Sequence, residues 1–142
     1  MKTIMFVCHG NICRSVMAEY IFKYLNKNKE YEAISRATSY EEIGNDIYYM
    51  AKDILNKNHI PYERHQAKRI TKAEYDNAYK VFVMDQNNYY NLKNIVNDYQ
   101  KIEFLNGEIE DPWYTRRFDL VFKQIYEGVK KIIEGLEKWL SL

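Results

Sequence analysis

Cysteine is scarce in this chain: two residues, Cys8 and Cys13, both near one end. They lie too close together to staple distant parts of a fold, so a disulfide scaffold is excluded. His9 is their neighbour, but no second Cys or His cluster completes a set of zinc ligands, and no metal is expected. Proline (2) and glycine (5) are also few, and no linker, repeat or low-complexity stretch interrupts the chain. Charge of one sign is lacking too. A net charge of +1 gives no general attraction to nucleic acid or to an acidic membrane. No apolar run is long enough to cross a bilayer. The first strand-like segment begins at residue 3 or 4, so no signal peptide is expected. The expectation is one cytoplasmic globular domain over residues 1–142, without a nucleic-acid or membrane partner. The 14 tyrosines accompany abundant Lys, Asn and Ile. That composition fits codon bias in an AT-rich genome, and no basic single-faced arrangement makes the tyrosines a stacking platform.

What is present alternates between two periodicities. Strand-like runs cover Thr3–Val7, Glu32–Thr38, Lys80–Met84 and Lys101–Leu105. Helical spacing covers Ser15–Asn26, Asp46–Lys57, Thr71–Asn77, Asn87–Asp98 and Thr115–Leu140. The last helix carries a long apolar stripe: Phe118, Val121, Phe122, Ile125, Val129, Ile132, Ile133, Leu136 and Leu140, with Trp139 beside it. Gly128 and Gly135 each cost that helix about 1 kcal/mol relative to Ala, so close packing is expected at both. Alternating strands and helices predict an α/β protein with an open parallel sheet. In such sheets ligands bind beyond the carboxyl ends of the strands. The turn after the first strand (Cys8–Arg14) and the turn after the third (Asp85) then fall on one edge.

The segment Cys8-His9-Gly10-Asn11-Ile12-Cys13-Arg14-Ser15 joins a strand to a helix and has the parts of a phosphate-handling loop. Backbone N–H groups and the helix N-terminus favour an anion there. Arg14 brings a two-pronged guanidinium. The same positive field favours the thiolate of Cys8, the nucleophilic form. Ser15 can donate to that sulfur, and Gly10 and Asn11 tolerate positive φ in the loop. Attack on a phosphate monoester would give a cysteinyl-phosphate, and the leaving oxygen then needs a proton. Asp111, stiffened by Pro112 and flanked by Trp113 and Tyr114, is the candidate acid, and afterwards the base that activates water. Glu108 and Glu110 are expected to act on it by like-charge repulsion. Two readings of Cys13 stay open: a buried small hydrophobe, or a reversible disulfide partner that shields Cys8 from over-oxidation.

Over essentially its whole length the chain resembles the low-molecular-weight protein tyrosine phosphatases. The likeness rests on the loop from Cys8 to Ser15 and on Asp111-Pro112-Trp113-Tyr114. Ala37-Thr38-Ser39, Ile43-Gly44-Asn45, Ile60–Ile70 and Met84-Asp85 follow in the expected order. The resemblance implies a flavodoxin-like open sheet of four parallel strands flanked by helices, with no cofactor or metal. It implies phosphotyrosine-containing protein as substrate, a tyrosine autokinase being the partner it suggests, and inorganic phosphate as product. Cys8 becomes nucleophile, Arg14 phosphate clamp and Asp111 general acid. His9, Gly10, Asn11, Ile12, Cys13 and Ser15 bind phosphate or support the loop. Ser35, His65 and Asp85 match a supporting hydrogen-bond network, and Tyr40, Glu41, Trp113 and Tyr114 wall the pocket.

Three departures stand out. The family commonly has Leu at His9, Pro at Val16, and an aromatic at Glu41, where this chain places Tyr40 one residue earlier. Related activities are disfavoured by residue content. A thioredoxin-coupled arsenate reductase needs cysteines beyond Cys13, and the chain has none. An arginine phosphatase of this fold typically carries Thr at Ile12. A phosphocysteine carrier needs neither Arg14 nor a distant acid, and an inactive binding module would be expected to have lost Cys8 or Asp111.

Overall fold

The computed structural model describes the backbone of residues 1–140 and the side chains through Glu137. Four strands, β1 (Lys2–Cys8), β2 (Tyr31–Ala37), β3 (Lys80–Val83) and β4 (Ile102–Phe104), form one sheet in the order β2-β1-β3-β4. Every pairing is parallel, with Cys8 opposite Ala37 and Val7 opposite Val83. The expected four-stranded parallel sheet is therefore the one observed. Strand order reverses at β1. The chain leaves β1 toward β2 and returns to β3 on the other side, so the loops after β1 and β3 part and leave a crevice at their carboxyl ends.

β1 is buried on both faces, as a central parallel strand must be. Its side chains alternate: Ile4, Phe6 and Cys8 enter one core and Met5 and Val7 the other. The first core is closed by α1 (Arg14–Leu25), α2 (Tyr49–Lys57) and α6 (Phe118–Leu140); the second by α3 (Lys72–Asn77) and α4 (Gln86–Val96). Thr71 starts α3 with a reciprocal cap, its hydroxyl accepting from Glu74 N–H while the Glu74 carboxylate accepts from Thr71 N–H.

Most helix boundaries fall within a residue or two of expectation, and two helix starts fall further off. The α2 helix starts at Tyr49 and not at Asp46. The Asp46 carboxylate accepts the N–H groups of Ile47 and of distant His65, and pairs with Lys52 at 2.8 Å, which holds residues 46–48 out of the helix. The terminal helix does not begin at Thr115. A four-residue α5 (Pro112–Thr115) ends at Arg116, whose φ of +65° stops helical propagation before α6 opens at Phe118.

The α6 stripe is buried as expected at Phe118, Val121, Phe122, Ile125, Val129, Ile133 and Leu136, and Ile132 packs at its margin. The side chains of Leu140 and Trp139 lie outside the described residues. The two glycines separate. A Cβ at Gly128 would stand 2.8 Å from both Cγ and the carbonyl oxygen of Leu105, while a Cβ at Gly135 would meet nothing within 4 Å. Close approach of α6 to the end of β4 explains Gly128. The packing expected at Gly135 is not found.

Two outcomes follow for stability. Gly128→Ala is expected to destabilise by about 1–3 kcal/mol because a backbone oxygen must move; Gly135→Ala should stabilise by up to about 1 kcal/mol. Denaturant midpoints of the two variants check the contrast, and equal shifts would contradict it. Asp46 supplies a pH test. Partial burial opposes its ionisation, yet Lys52 and the two N–H groups hold its carboxyl at about 2, below the ordinary 3.8. A depressed carboxyl stabilises above its unfolded value and loses that contribution as pH falls toward the folded one. The stability gap between wild type and Asp46→Asn should be full near neutrality and narrow steadily below about pH 4, as read by urea unfolding across that range.

Candidate active site

The loop between β1 and α1 is fixed from below by Asn11. Its φ of +61° is left-handed, a conformation Asn adopts more readily than other residues with a side chain. Gly10 is not in that region. A Cβ there would approach Glu42 Cγ to 3.3 Å, so glycine at this position serves close passage of the next loop. Asn11 is wholly buried and has a partner for each of its polar groups. Its N–H donates to Cys8 Sγ at 3.3 Å, and its Nδ2 donates to Ser15 Oγ at 2.8 Å. Its Oδ1 accepts from Lys68 N–H at 3.2 Å, and its carbonyl accepts from His65 Nε2 at 2.7 Å. A carbonyl only accepts, so His65 carries its proton on Nε2.

Ser15 Oγ lies 3.0 Å from Cys8 Sγ. Because the hydroxyl oxygen already accepts from Asn11, its hydrogen is free for the sulfur. Cys8 and Cys13 are both buried free thiols. Burial pushes the Cys13 thiol well up, and Cys8 and Asp111 add to the shift, so Cys13 stays protonated. Cys13 also precedes α1 without giving its first turn a side-chain cap. The helix end therefore keeps N–H groups available to an anion.

Arg14 is only 2% exposed. Its Nη1 donates to Asp85 Oδ2 at 2.7 Å and to the Ile109 carbonyl at 2.9 Å, while Nη2 stands 3.4 Å from Asp111 Oδ2. Burial works against its charge, but Cys8, Asp111 and Asp85 outweigh it and hold the guanidinium above the ordinary arginine value. The two aspartates share one construction. Asp85 Oδ1 caps α4 through Asn88 N–H at 2.7 Å, and Asp111 Oδ1 caps α5 through Trp113 N–H at 3.0 Å. In each case the second oxygen faces Arg14. Helix capping thus aims both carboxylates at one cation.

Cys8, the loop through Arg14, and Asp111 border one cleft together with Glu41, Glu42, Trp113 and Tyr114, while Ser15, His65 and Asp85 stand behind its lining. His9 Nε2 donates to Glu41 Oε2 at 2.9 Å, joining the two loops at the cleft mouth. Not every expected residue takes part. Tyr40 is exposed, its ring under the Arg69 guanidinium at 4.3 Å, and Glu42 lines the cleft in its place. Ser35 pairs with Phe6, two residues down the strand from Cys8, and its hydroxyl donates to Glu19 at 2.5 Å rather than to the loop. Neither Glu108 nor Glu110 is directed at Asp111: the first accepts from Gln86 N–H and the second pairs with Arg117.

Sequence reasoning missed three contributors. The Ile109 carbonyl is a backbone group and leaves no residue-type signal. Glu42 differs from Glu41 only by a one-place shift along a loop. Tyr48, whose N–H donates to the Ile12 carbonyl at 3.0 Å, is one of 14 tyrosines. Among the described residues, no three His, Cys, Asp or Glu side chains group as a metal site, and no helix is long and apolar enough to cross a membrane.

Comparison with known proteins gives the same architecture a lineage. Low molecular weight protein-tyrosine-phosphatase PtpA of Staphylococcus aureus is 32% identical, over all of this chain and 98% of its own length. The human low molecular weight phosphotyrosine protein phosphatase is 34% identical, covering 94% of each chain. The crystal structure of SP-PTP, a low molecular weight protein tyrosine phosphatase from Streptococcus pyogenes, superposes with a TM-score of 0.93 at 33% identity, over 99% of this chain and 98% of that one. The family model described as low molecular weight phosphotyrosine protein phosphatase matches residues 3–141. On this evidence the chain belongs to the low molecular weight phosphotyrosine protein phosphatase family.

Proposed function

We propose that this member of the family hydrolyses phosphotyrosine monoesters through a cysteinyl-phosphate on Cys8. The observation that carries the reading is the convergence on one cleft of a sulfur hydrogen-bonded by Asn11 N–H, a buried Arg14, and Asp111 beside that guanidinium. The phosphate dianion sits in the loop against the α1 N-terminus, with Arg14 already oriented by Asp85 and Ile109. Cys8 thiolate attacks phosphorus in line with the leaving oxygen, so an S–P bond forms as the P–O bond breaks. Protonated Asp111 gives its proton to the departing phenoxide. Asp111 carboxylate then takes a proton from water, the water oxygen attacks phosphorus, and the S–P bond breaks to return thiolate and inorganic phosphate. Ser15 and Asn11 N–H stabilise the sulfur as it leaves.

Trp113 and Tyr114 line the cleft beside Asp111 and suit an aromatic leaving group. Isoleucine at position 12 favours an aryl ester over a guanidinium-linked phosphate. The substrate partner is a phosphotyrosine-bearing protein, for which a tyrosine autokinase is the proposed kind. Two free thiols fit a reducing, cytoplasmic setting.

Cys8→Ser should abolish turnover of phosphotyrosine peptides while retaining binding. Asp111→Asn should lower kcat by about 10²–10⁴-fold. Steady-state assays on phosphotyrosine, phosphoserine and phosphoarginine peptides are expected to rank phosphotyrosine first. Continued hydrolysis by Cys8→Ser would exclude the covalent route, and preference for phosphoarginine would overturn the substrate assignment.

A further inference from the structure

The acid and the nucleophile reside on loops that follow β4 and β1, and something must hold the two in register. Arg14 ties them from inside. Tyr48 ties them from outside. Its N–H holds the Ile12 carbonyl of the nucleophile loop at 3.0 Å. Its ring packs on Trp113 at 4.6 Å between centroids and on Phe118 at 6.1 Å. Its hydroxyl accepts from Arg116 Nη1 at 2.8 Å, and that guanidinium lies 5.6 Å from the ring centre. Arg116 and Trp113 belong to the segment that Asp111 caps, with Arg116 in the left-handed turn that ends it. One residue thus touches the nucleophile loop at its backbone and the acid loop at its ring and tip.

We propose that Tyr48, through Arg116 and Trp113, is a positioning residue for Asp111, setting the distance at which the acid meets the leaving oxygen. The inference rests on Asp111 being the acid and base. Tyr48 itself does not line the cleft, so it acts through the residues it holds and not by touching substrate, and a leaving-group series separates an effect on proton transfer from an effect on binding through Trp113. A left-handed arginine is a conformation that side chains with a Cβ seldom hold unaided. The Tyr48 hydroxyl is the partner that Arg116 finds across the gap.

The consequence is a leaving-group signature. A poor leaving group needs the proton most, so misplacing the acid slows it most. Tyr48→Phe keeps the ring and removes only the acceptor oxygen. It should lower kcat/KM for phenyl phosphate about two- to tenfold, the worth of one hydrogen bond. For p-nitrophenyl phosphate, whose phenol leaves readily, the loss should stay below about twofold. Arg116→Asn tolerates the left-handed backbone, removes the same bond from the other side, and should reproduce the pattern. In an Asp111→Asn background, adding Tyr48→Phe should cause no further leaving-group-dependent loss, since the two changes act on one step. Equal losses on both substrates, or additive losses in the double variant, would overturn the role of Tyr48 while leaving Asp111 as the acid. If Asp111→Asn itself shows no leaving-group dependence, the assignment of Asp111 fails instead.

Discussion

A guanidinium taken out of water must find its charge and its hydrogen bonds inside the protein, because desolvating an ion costs several kcal/mol. Arg14, almost wholly buried, imposes that requirement here. Its partners come from separate parts of the chain: Asp85 after β3, the Ile109 carbonyl and Asp111 after β4, and the sulfur of Cys8 at the end of β1. Satisfying one cation therefore gathers the carboxyl ends of three strands. In the proposed mechanism the same cation is what an incoming phosphate meets.

The sheet makes this gathering feasible. Because order reverses at β1, the loops that follow β1 and β3 diverge, and the crevice between them is where Arg14 and Asp85 face each other. Helix capping then does the aiming. Asp85 and Asp111 each commit one oxygen to a helix N-terminus and present the other to Arg14. A side chain that caps a helix has little freedom left, so each carboxylate is fixed by one oxygen while the other meets Arg14.

Much of this was readable before any coordinates, and the reason is locality. The loop from Cys8 to Ser15 is a contiguous string in which Cys8, Asn11 and Ser15 bond to one another, and the Asp111-Pro112 turn is equally compact. Alternating periodicities sufficed for the parallel sheet. The remainder depended on tertiary placement. Tyr40 and Glu42 exchange roles through a loop geometry that composition does not encode. Ser35 stands too far down β2 to reach the loop, a matter of strand register. The break at Arg116 carries no glycine to announce it, because the strain is offset by Tyr48 from another element. Gly135 resembles Gly128 in sequence, and only the position of Leu105 separates them.

The distances along the chain between Arg14 and its partners have a consequence in time. Asp85 and Ile109 stand 71 and 95 residues downstream of the arginine they hold. Contacts of such separation close slowly and late, since the intervening chain must first be ordered. During synthesis from the N-terminus, the cysteine of the loop emerges early, whereas the restraints on Arg14 follow in turn, Asp85 after the third strand and Ile109 only after the fourth. The nascent chain thus carries a cysteine long before it carries the last of the groups that surround Arg14.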